Sequence, residues 1–206
     1  MQEQETYPRG LIIHEQFRLG ALRARGGMAS IYEGTEIKTD RHVAIKFLRK
    51  DLEKMPEMVE LFDAEAEALQ KLDHPNIIRG LAAGRYGGSH YLVMDFVSGP
   101  TLRERLRWGR PERDEALSIL RQAAAGLDHA HERGVIHRDV KPDNLILEKN
   151  VVRIADFGIA RVMQRAPLIG DSESRGGTVI YSAPEQFEPG GTVGPHTDVY
   201  SLGVVA

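Results

Sequence analysis

Four side chains that could handle a phosphoryl group lie close together in the second half of the sequence: Asp139, Lys141, Asn144 and Asp156. A carboxylate can orient or deprotonate an attacking hydroxyl group, and a lysine can offset the charge of a transferring phosphoryl group. Amide and carboxylate oxygens are ligands that a small divalent cation accepts. Phosphoryl transfer from a nucleotide requires this combination, because the protein contributes positioning and charge neutralisation rather than covalent chemistry.

These residues belong to two short motifs, His137-Arg138-Asp139-Val140-Lys141-Pro142-Asp143-Asn144 and Asp156-Phe157-Gly158. Asp and Asn also favour turns, but a turn requires neither the basic residues of the first motif nor the Phe-Gly of the second. The order H-R-D-x-K-x-x-N and then D-F-G resembles the catalytic core of eukaryotic-type serine/threonine protein kinases of the bacterial kind. The resemblance implies that Asp139 receives the proton of the acceptor hydroxyl and that Lys141 lies beside the γ-phosphate of ATP. It also implies that Asn144 and Asp156 hold Mg²⁺, with Mn²⁺ as the alternative ion.

The bulk composition fits a protein with a hydrophobic core and no special affinity for nucleic acid. The chain has 206 residues, 41% of them hydrophobic, and a formal net charge of −3, so nothing indicates a polyanionic partner. The chain has no cysteine, which excludes disulfides and thiolate metal sites. The polar start is unlike a signal peptide, and no stretch approaches the roughly 20 apolar residues of a membrane span.

The arrangement of elements predicts an α+β protein in two parts. We expect a flexible tail over 1–13, a small antiparallel β lobe with one key helix over 14–97, and a mainly helical lobe over 98–206. Strand-like patterning runs from residue 17 to 48, and Phe62, Glu65, Leu69 and Leu72 share one face of a predicted helix. A second helix is predicted with Leu117, Leu120, Ala124, Leu127 and His131 on one face.

The apolar run at residues 199–206 predicts that the second lobe is cut inside a helix, because chain ends usually fray into polar residues. The expected location is the cytoplasm, either as a separate protein or as the cytoplasmic part of a longer membrane-anchored one. The fold that the resemblance implies is the bilobal protein-kinase-like fold, with an incomplete second lobe.

Three features of the first part indicate the nucleotide side of the site. Gly26 and Gly27 resemble a glycine-rich phosphate-binding loop, although two alanines replace glycines of the family pattern and a plain hairpin turn would read the same way. Lys46 ends an apolar strand segment, Val43-Ala44-Ile45-Lys46. Glu65 lies on the apolar face of the next helix, where a carboxylate needs a cation, and the resemblance implies that it pairs with Lys46 while Lys46 holds the α- and β-phosphates.

The resemblance also implies an adenine pocket, for which plain core packing is the alternative explanation. Its ceiling would be Ile31 and Ala44, its floor Ile146 and its rear Met94. The backbone of Asp95-Phe96-Val97 would form the hinge that contacts the base. Arg23 departs from the family, in which an apolar residue covers the adenine.

The acceptor and regulatory residues are expected in the segment after the D-F-G motif. The resemblance implies that Thr178 bridges Asp139 and Lys141 and that the following Ala-Pro-Glu receives a protein substrate. Arg138 resembles the arginine of kinases that are controlled by phosphorylation of this segment. Arg161, Ser172 and Ser174 complete the predicted regulatory set, with trans-autophosphorylation in a kinase dimer; a mobile acidic loop is the alternative for these serines.

The sequence therefore predicts a protein kinase that transfers the γ-phosphate of Mg-ATP to serine or threonine hydroxyls of protein substrates. Two alternatives stay open at this point. One is a small-molecule phosphotransferase of the aminoglycoside type, which shares the fold and a related loop. The other is a nucleotide-binding pseudokinase or scaffold, favoured by the alanines in the glycine-rich loop. P-loop NTPases are excluded because the sequence has no G-x-x-x-x-G-K-[ST] motif.

Overall fold

The computed structural model describes residues 7–157 and 180–206. They form two compact units, one comprising residues up to Val59 together with Gly80–Phe96, the other Glu60–Arg79 together with Val97–Ala206. The second unit resumes at Val97, whereas the sequence predicts that the helical lobe begins at residue 98. The segment 60–79, which the sequence assigns to the first lobe, groups with the second unit.

The first unit is built around one antiparallel sheet. Its strands are β1 (Ile12–Ile13), β2 (Phe17–Arg25), β3 (Ala29–Glu36), β4 (Arg41–Leu48), β5 (Gly80–Tyr86) and β6 (Ser89–Asp95), in the spatial order β1-β2-β3-β4-β6-β5. The alternating residues Val43, Ile45 and Phe47 of β4 are buried in one hydrophobic cluster with Phe17 and Val93. Val43–Leu48 of β4 are buried on both faces of the sheet. Three strands lie within residues 17–48, so the strand-like reading of this stretch is confirmed.

The beginning of the described chain is packed rather than loose. Ile13 is fully buried, and the ring of Tyr7 stacks on that of Phe47 with 4.2 Å between centroids. The flexible tail predicted over 1–13 therefore extends too far, because an aromatic and an aliphatic side chain in this stretch complete the core of the sheet.

Helix α1 (Pro56–Lys71) begins at a proline, as the sequence predicts. Its buried side chains are Leu61, Phe62, Glu65, Ala66 and Leu69. Three of them belong to the predicted face, so the helical spacing located this stripe correctly.

Among its described residues, the second unit contains three further helices and a two-stranded sheet. They are α2 (Leu102–Leu106), α3 (Arg113–Glu132), β7 (Leu145–Glu148), β8 (Val151–Ile154) and α4 (Pro195–Val205). Short 3₁₀ turns lie at Pro142–Asn144 and Pro184–Gln186, and another lies at Leu52–Lys54 in the first unit. A capping box begins α2, because Thr101 accepts from the backbone N–H of Glu104 and the Glu104 carboxylate accepts in return.

The buried face of α3 differs from the predicted one. The structure buries Ile119, Ala123, Gly126, Leu127 and Ala130, whereas Leu117 and Ala124 are exposed. The reason is close packing at small residues, since a Cβ built on Gly126 would lie 2.8 Å from the Ile154 side chain of β8. Among the described residues, no helix is both long enough and apolar enough to cross a membrane.

Candidate functional site

Asp139 is held at the centre of a small polar cluster within the second unit. The Lys141 ammonium group donates to its Oδ2 at 2.7 Å. The Asn144 amide donates to the same oxygen at 3.1 Å and to the Asp139 backbone carbonyl at 2.8 Å. Only 14% of the Asp139 side chain and 18% of the Lys141 side chain are exposed. The structure thus brings together three of the predicted catalytic and metal-binding residues, with the carboxylate oriented by charge-assisted bonds.

The backbone of this loop is clamped by a carboxylate from a distant helix. Asp198, in the first turn of α4, is fully buried. It accepts from the backbone N–H groups of His137 and Arg138, at 2.9 and 2.7 Å, and from Nε2 of His131 at 2.7 Å. Three donors to one buried carboxylate fix the path of the chain immediately before Asp139.

The pKa of Asp198 records the balance of these forces. Burial by itself would raise the pKa of this carboxyl, because it penalises the charged form. The hydrogen bonds from His131 and the two backbone N–H groups, with the nearby His137 ring, outweigh burial, and the pKa is lowered below its ordinary value. Asp198 is therefore an anion at neutral pH despite its burial.

His137 joins the loop to the strand that precedes Asp156. Its Nδ1 accepts from the Asp139 N–H at 3.2 Å, so Nε2 carries the proton and donates to the Ala155 carbonyl at 2.9 Å. Its ring lies 4.6 Å from that of Phe157, and both side chains are fully buried. His137 and Phe157 thus align these two segments by packing against each other.

The candidate metal ligands Asn144 and Asp156 are brought near each other by the backbone. The Ala155 N–H donates to the backbone carbonyl of Asn144 at 2.9 Å, so Asp156 follows directly after a residue bonded to Asn144. The side-chain amide nitrogen of Asn144 donates to Asp139. The side-chain amide oxygen of Asn144 is therefore the group able to ligate a cation. One amide oxygen and one carboxylate fit Mg²⁺, which keeps several waters and substrate phosphates as further ligands. Within the described residues, no three His, Cys, Asp or Glu side chains form a metal cluster.

Two residues of the site have left-handed backbone conformations. Arg138 has φ 68° and Asp156 has φ 57°. Such angles are unfavourable for residues other than glycine and persist only where surrounding contacts impose them. At Arg138 those contacts are visible, because its N–H is held by Asp198 and its carbonyl accepts from the Gln186 amide at 2.9 Å.

Lys46 and Glu65 are both buried ionisable groups. Lys46, on β4, is 3% exposed, and Glu65, on α1, is fully buried. Neither charge is tolerated in such a place without a compensating partner. Their burial distinguishes Lys46 from an ordinary solvent-facing strand lysine.

The predicted nucleotide loop is the turn between β2 and β3. The Gly26 N–H donates to the Ala29 carbonyl at 2.8 Å, and a Cβ added at Gly27 would have no heavy atom within 4 Å. The open space beside Gly27 would let a phosphate reach the backbone of this turn. A plain hairpin turn has the same open space. The predicted pocket residues Ile31 and Ile146 are half-buried, while Ala44 and Met94 are buried and face each other across β4 and β6.

The predicted hinge is held by side chains of the sheet. The Asp95 carboxylate binds Arg41, so its backbone is the part left to contact a base. The Phe96 ring stacks on His42 with 4.0 Å between centroids, and the Arg23 guanidinium lies 5.8 Å from the same ring. The division between the two units falls after Phe96, and Val97, the last hinge residue, begins the next segment.

Glu185 has partners among the described residues. The Thr197 hydroxyl donates to its Oε1 at 2.6 Å, and Nε2 of His196 lies 3.4 Å from that oxygen. The hydrogen bond from Thr197 is the main reason that the pKa of Glu185 is lowered. The carboxylate is therefore stabilised as an anion by a hydroxyl donor and a nearby imidazole.

Four predicted residues, Arg161, Ser172, Ser174 and Thr178, lie outside the described residues. Conversely, the structure adds His131 and Gln186, which sequence reasoning missed. His131 was assigned only to a helix face, and Gln186 follows the predicted Ala-Pro-Glu segment without drawing attention. Neither has a local motif that would indicate its bond, which runs from His131 to Asp198 and from Gln186 to the Arg138 carbonyl.

Comparison with known proteins agrees with this arrangement. Residues 19–206 match the family model of the protein kinase domain. The chain belongs to the protein kinase family. This kinase domain is 40% identical over 203 residues to the serine/threonine-protein kinase PknA of Mycobacterium tuberculosis, covering 95% of this chain and 47% of PknA. It is 38% identical over 182 residues to the serine/threonine-protein kinase PrkC of Bacillus subtilis, covering 87% of this chain and 28% of PrkC.

The same family is found among solved structures. The crystal structure of the Mycobacterium tuberculosis PknI kinase domain superposes with a TM-score of 0.78 at 26% identity, covering 97% of this chain and 74% of that one. The family resemblance read from the motifs and the predicted α+β, protein-kinase-like fold are confirmed. The kinase domain spans less than half the length of the two curated relatives.

Proposed function

We propose that this kinase domain transfers the γ-phosphate of ATP to serine or threonine hydroxyl groups of protein substrates. The observation that carries the proposal is the Asp139 cluster. Its carboxylate is held by Lys141 and Asn144 at 2.7 and 3.1 Å, on a loop whose backbone Asp198 clamps. Such a carboxylate can orient the acceptor hydroxyl and receive its proton, while Lys141 offsets the charge of the transferring group.

The nucleotide is proposed to bind through Lys46, with Glu65 as its counter-ion. The support for this proposal is that Lys46 is 3% exposed and Glu65 is fully buried, since each buried charge needs a compensating partner. Gly26 and Gly27 are proposed to cover the phosphates with backbone N–H groups. The remaining proposed adenine contacts are Ile31, Ala44, Met94, Asp95, Val97 and Ile146.

The family implies ATP together with a divalent cation, and we propose Mg²⁺ held by Asn144 and Asp156. The ligands are hard oxygens and few, which favours a strongly hydrated ion over zinc. Mn²⁺ accepts the same ligands. The ion would neutralise charge on the phosphates during transfer.

Control by phosphorylation of the segment after Asp156 is proposed from Arg138, which directly precedes Asp139 in the sequence. A phosphate on Ser172 or Ser174 would pair with Arg138 and Arg161 and order this segment. We propose that one copy of the kinase phosphorylates another. We also propose that the reaction takes place in the cytoplasm, where ATP is supplied. Intact-mass measurement after incubation with Mg-ATP tests this step, and a peptide 162–177 without added phosphate would contradict it.

The acceptor class is tested by offering the full-length protein two kinds of acceptor with labelled ATP. We expect label on a protein or peptide substrate, recovered as phosphoserine or phosphothreonine after hydrolysis, and none on an aminoglycoside. Label on the aminoglycoside alone would replace the proposal with a small-molecule phosphotransferase. Nucleotide binding without transfer to either acceptor would indicate a pseudokinase.

A further inference from the structure

A cluster beside the catalytic loop contains a guanidinium group that the proposed reaction does not use. Arg103, on α2, donates from Nε and Nη2 to Oδ2 of Asp143, at 3.3 and 3.2 Å. Nη2 also donates to the Tyr181 hydroxyl at 3.2 Å, and the guanidinium lies 5.5 Å from the centroid of the Tyr181 ring. Asp143 is the neighbour of Asn144 in the 3₁₀ turn that begins just after Lys141. The guanidinium is therefore anchored close to the carboxylate that would receive the acceptor hydroxyl.

The anchoring leaves hydrogen-bonding capacity unused. An arginine has five N–H donors, and both bonds to Asp143 reach a single carboxylate oxygen at the long end of the normal range. Within the part of the chain that the structure describes, no acceptor is bonded to Nη1 of Arg103. The Arg103 side chain is 36% exposed. A solvent-facing edge with free donors, already fixed in orientation, can bind a carboxylate at low entropic cost.

The charge around Arg103 favours an anionic rather than a cationic ligand. Residues 102–113 contain five arginines and two glutamates. Asp143 is 47% exposed, but the adjacent Arg103 guanidinium compensates its charge. Glu115 pairs with Arg105, and Asp143 pairs with Arg103. The arginines left on this segment still outnumber its glutamates, which favours an anionic ligand.

We propose that Arg103 selects protein acceptors that carry an acidic residue near the phosphorylated serine or threonine. The Nη1 edge would bind that carboxylate, while Asp143 and Tyr181 hold the guanidinium in position. This inference rests on the proposed function and names a substrate preference of the same site.

The preference is tested with peptides that contain one serine and neutral flanks. A single glutamate is moved through each flanking position, and each peptide is compared with its glutamine and lysine counterparts. With the full-length protein, we expect one position at which glutamate raises kcat/KM about 2- to 5-fold over glutamine, the upper part of the range for one partly exposed ion pair. The gain should lie in KM, because the contact binds the peptide and not the reacting atoms. Lysine at that position should be the poorest.

Variants of Arg103 connect the preference to this side chain. Arg103→Gln should remove the preference for glutamate while still phosphorylating the neutral peptide, Arg103→Lys should retain part of it, and Arg103→Glu should favour the lysine peptide. The matched control is Arg107→Ala, which removes the same charge from an exposed position at the end of α2. It should leave the preference within experimental error of the wild type.

Three results would overturn the inference: no preference for glutamate in the wild type, an unchanged preference in Arg103→Gln, or an equal loss in Arg107→Ala, which would indicate general charge attraction. If Arg103→Gln does not fold, the wild-type peptide series and Arg103→Lys still decide between these results. A different result would contradict the proposed function itself. In that case the wild type would phosphorylate none of the peptides, including the neutral one.

Discussion

Replacing Asp198 with asparagine should destabilise the protein and slow the reaction together. The carboxylate is fully buried and receives three donors, from His131 and the backbone of His137 and Arg138. Asparagine keeps the shape but turns one acceptor oxygen into a donor. At least one charge-assisted hydrogen bond is lost, worth about 1.5–3 kcal/mol, and one buried N–H group is left facing another donor, at a further cost of about 1–3 kcal/mol. We expect the free energy of unfolding to fall by about 3–5 kcal/mol, at the upper end for a single substitution.

The same variant should change the pH dependence of stability. Because the folded-state pKa of Asp198 is lowered, its stabilisation is complete above the unfolded pKa of about 3.9 and is lost as the pH falls through the lowered folded value. The stability difference between wild type and Asp198→Asn should therefore be constant above about pH 5 and shrink below about pH 4. Urea denaturation of the full-length protein across this range measures it.

Catalysis should suffer because the clamp sets the path of the loop that carries Asp139. A displacement of about 1 Å at a reacting group costs roughly 10²-fold in rate, so kcat should fall by about that factor at a temperature where the variant is folded. Asp128→Asn, at an exposed position of α3, is the matched control and should change neither quantity. The reasoning is refuted if Asp198→Asn has the denaturation midpoint and kcat of that control.

Three further changes test the packing and the electrostatics. Gly99→Ala should lower the free energy of unfolding by about 3 kcal/mol through overpacking, because the added Cβ would lie 2.1 Å from a backbone carbonyl oxygen of β7. Gly203→Ala, in open space within α4, should instead raise the free energy of unfolding by about 0.5–1 kcal/mol. Equal denaturation midpoints for the two variants would contradict this. Thr197→Val should raise the pKa of Glu185 toward its ordinary value, because it removes the main cause of the lowering, and an unchanged NMR titration midpoint of that carboxyl would disprove it. The pKa of His74 is lowered, mainly by burial and further by the neighbouring His129 and Arg133. The contribution of His74 to the stability of the fold should therefore be complete above about pH 6.5 and decrease as the pH falls. A titration midpoint of the His74 ring at or above about 6.5 by NMR would contradict this.

The sequence was sufficient where the determining interactions are local. The strands within residues 17–48 and the apolar face of α1 follow from side-chain spacing, and Glu65 stood out because a carboxylate on such a face is costly. The catalytic loop could be recognised because Asp139, Lys141 and Asn144 lie within a few residues of one another. Their mutual hydrogen bonds need no distant element.

The sequence was insufficient where packing partners come from far along the chain. On α3, one stripe with Leu117 and another with Ala123 and Gly126 are both compatible with helical spacing. The second is buried because its small residues let β8 approach closely, which no periodicity reveals. The contact of Arg103 with Tyr181 is equally hidden, since it joins residues 78 positions apart.

The most direct test of the central claim measures phosphate transfer by the Asp139 cluster itself. The full-length protein, its Asp139→Asn variant and the exposed-site control Asp128→Asn are each incubated with γ-labelled ATP, a divalent cation and a protein acceptor. The account predicts label on serine or threonine for the wild type and the control, and a rate lower by roughly 10²–10⁴-fold for Asp139→Asn, with all three proteins folded. Equal rates for wild type and Asp139→Asn, or no transfer by folded wild type, would contradict it.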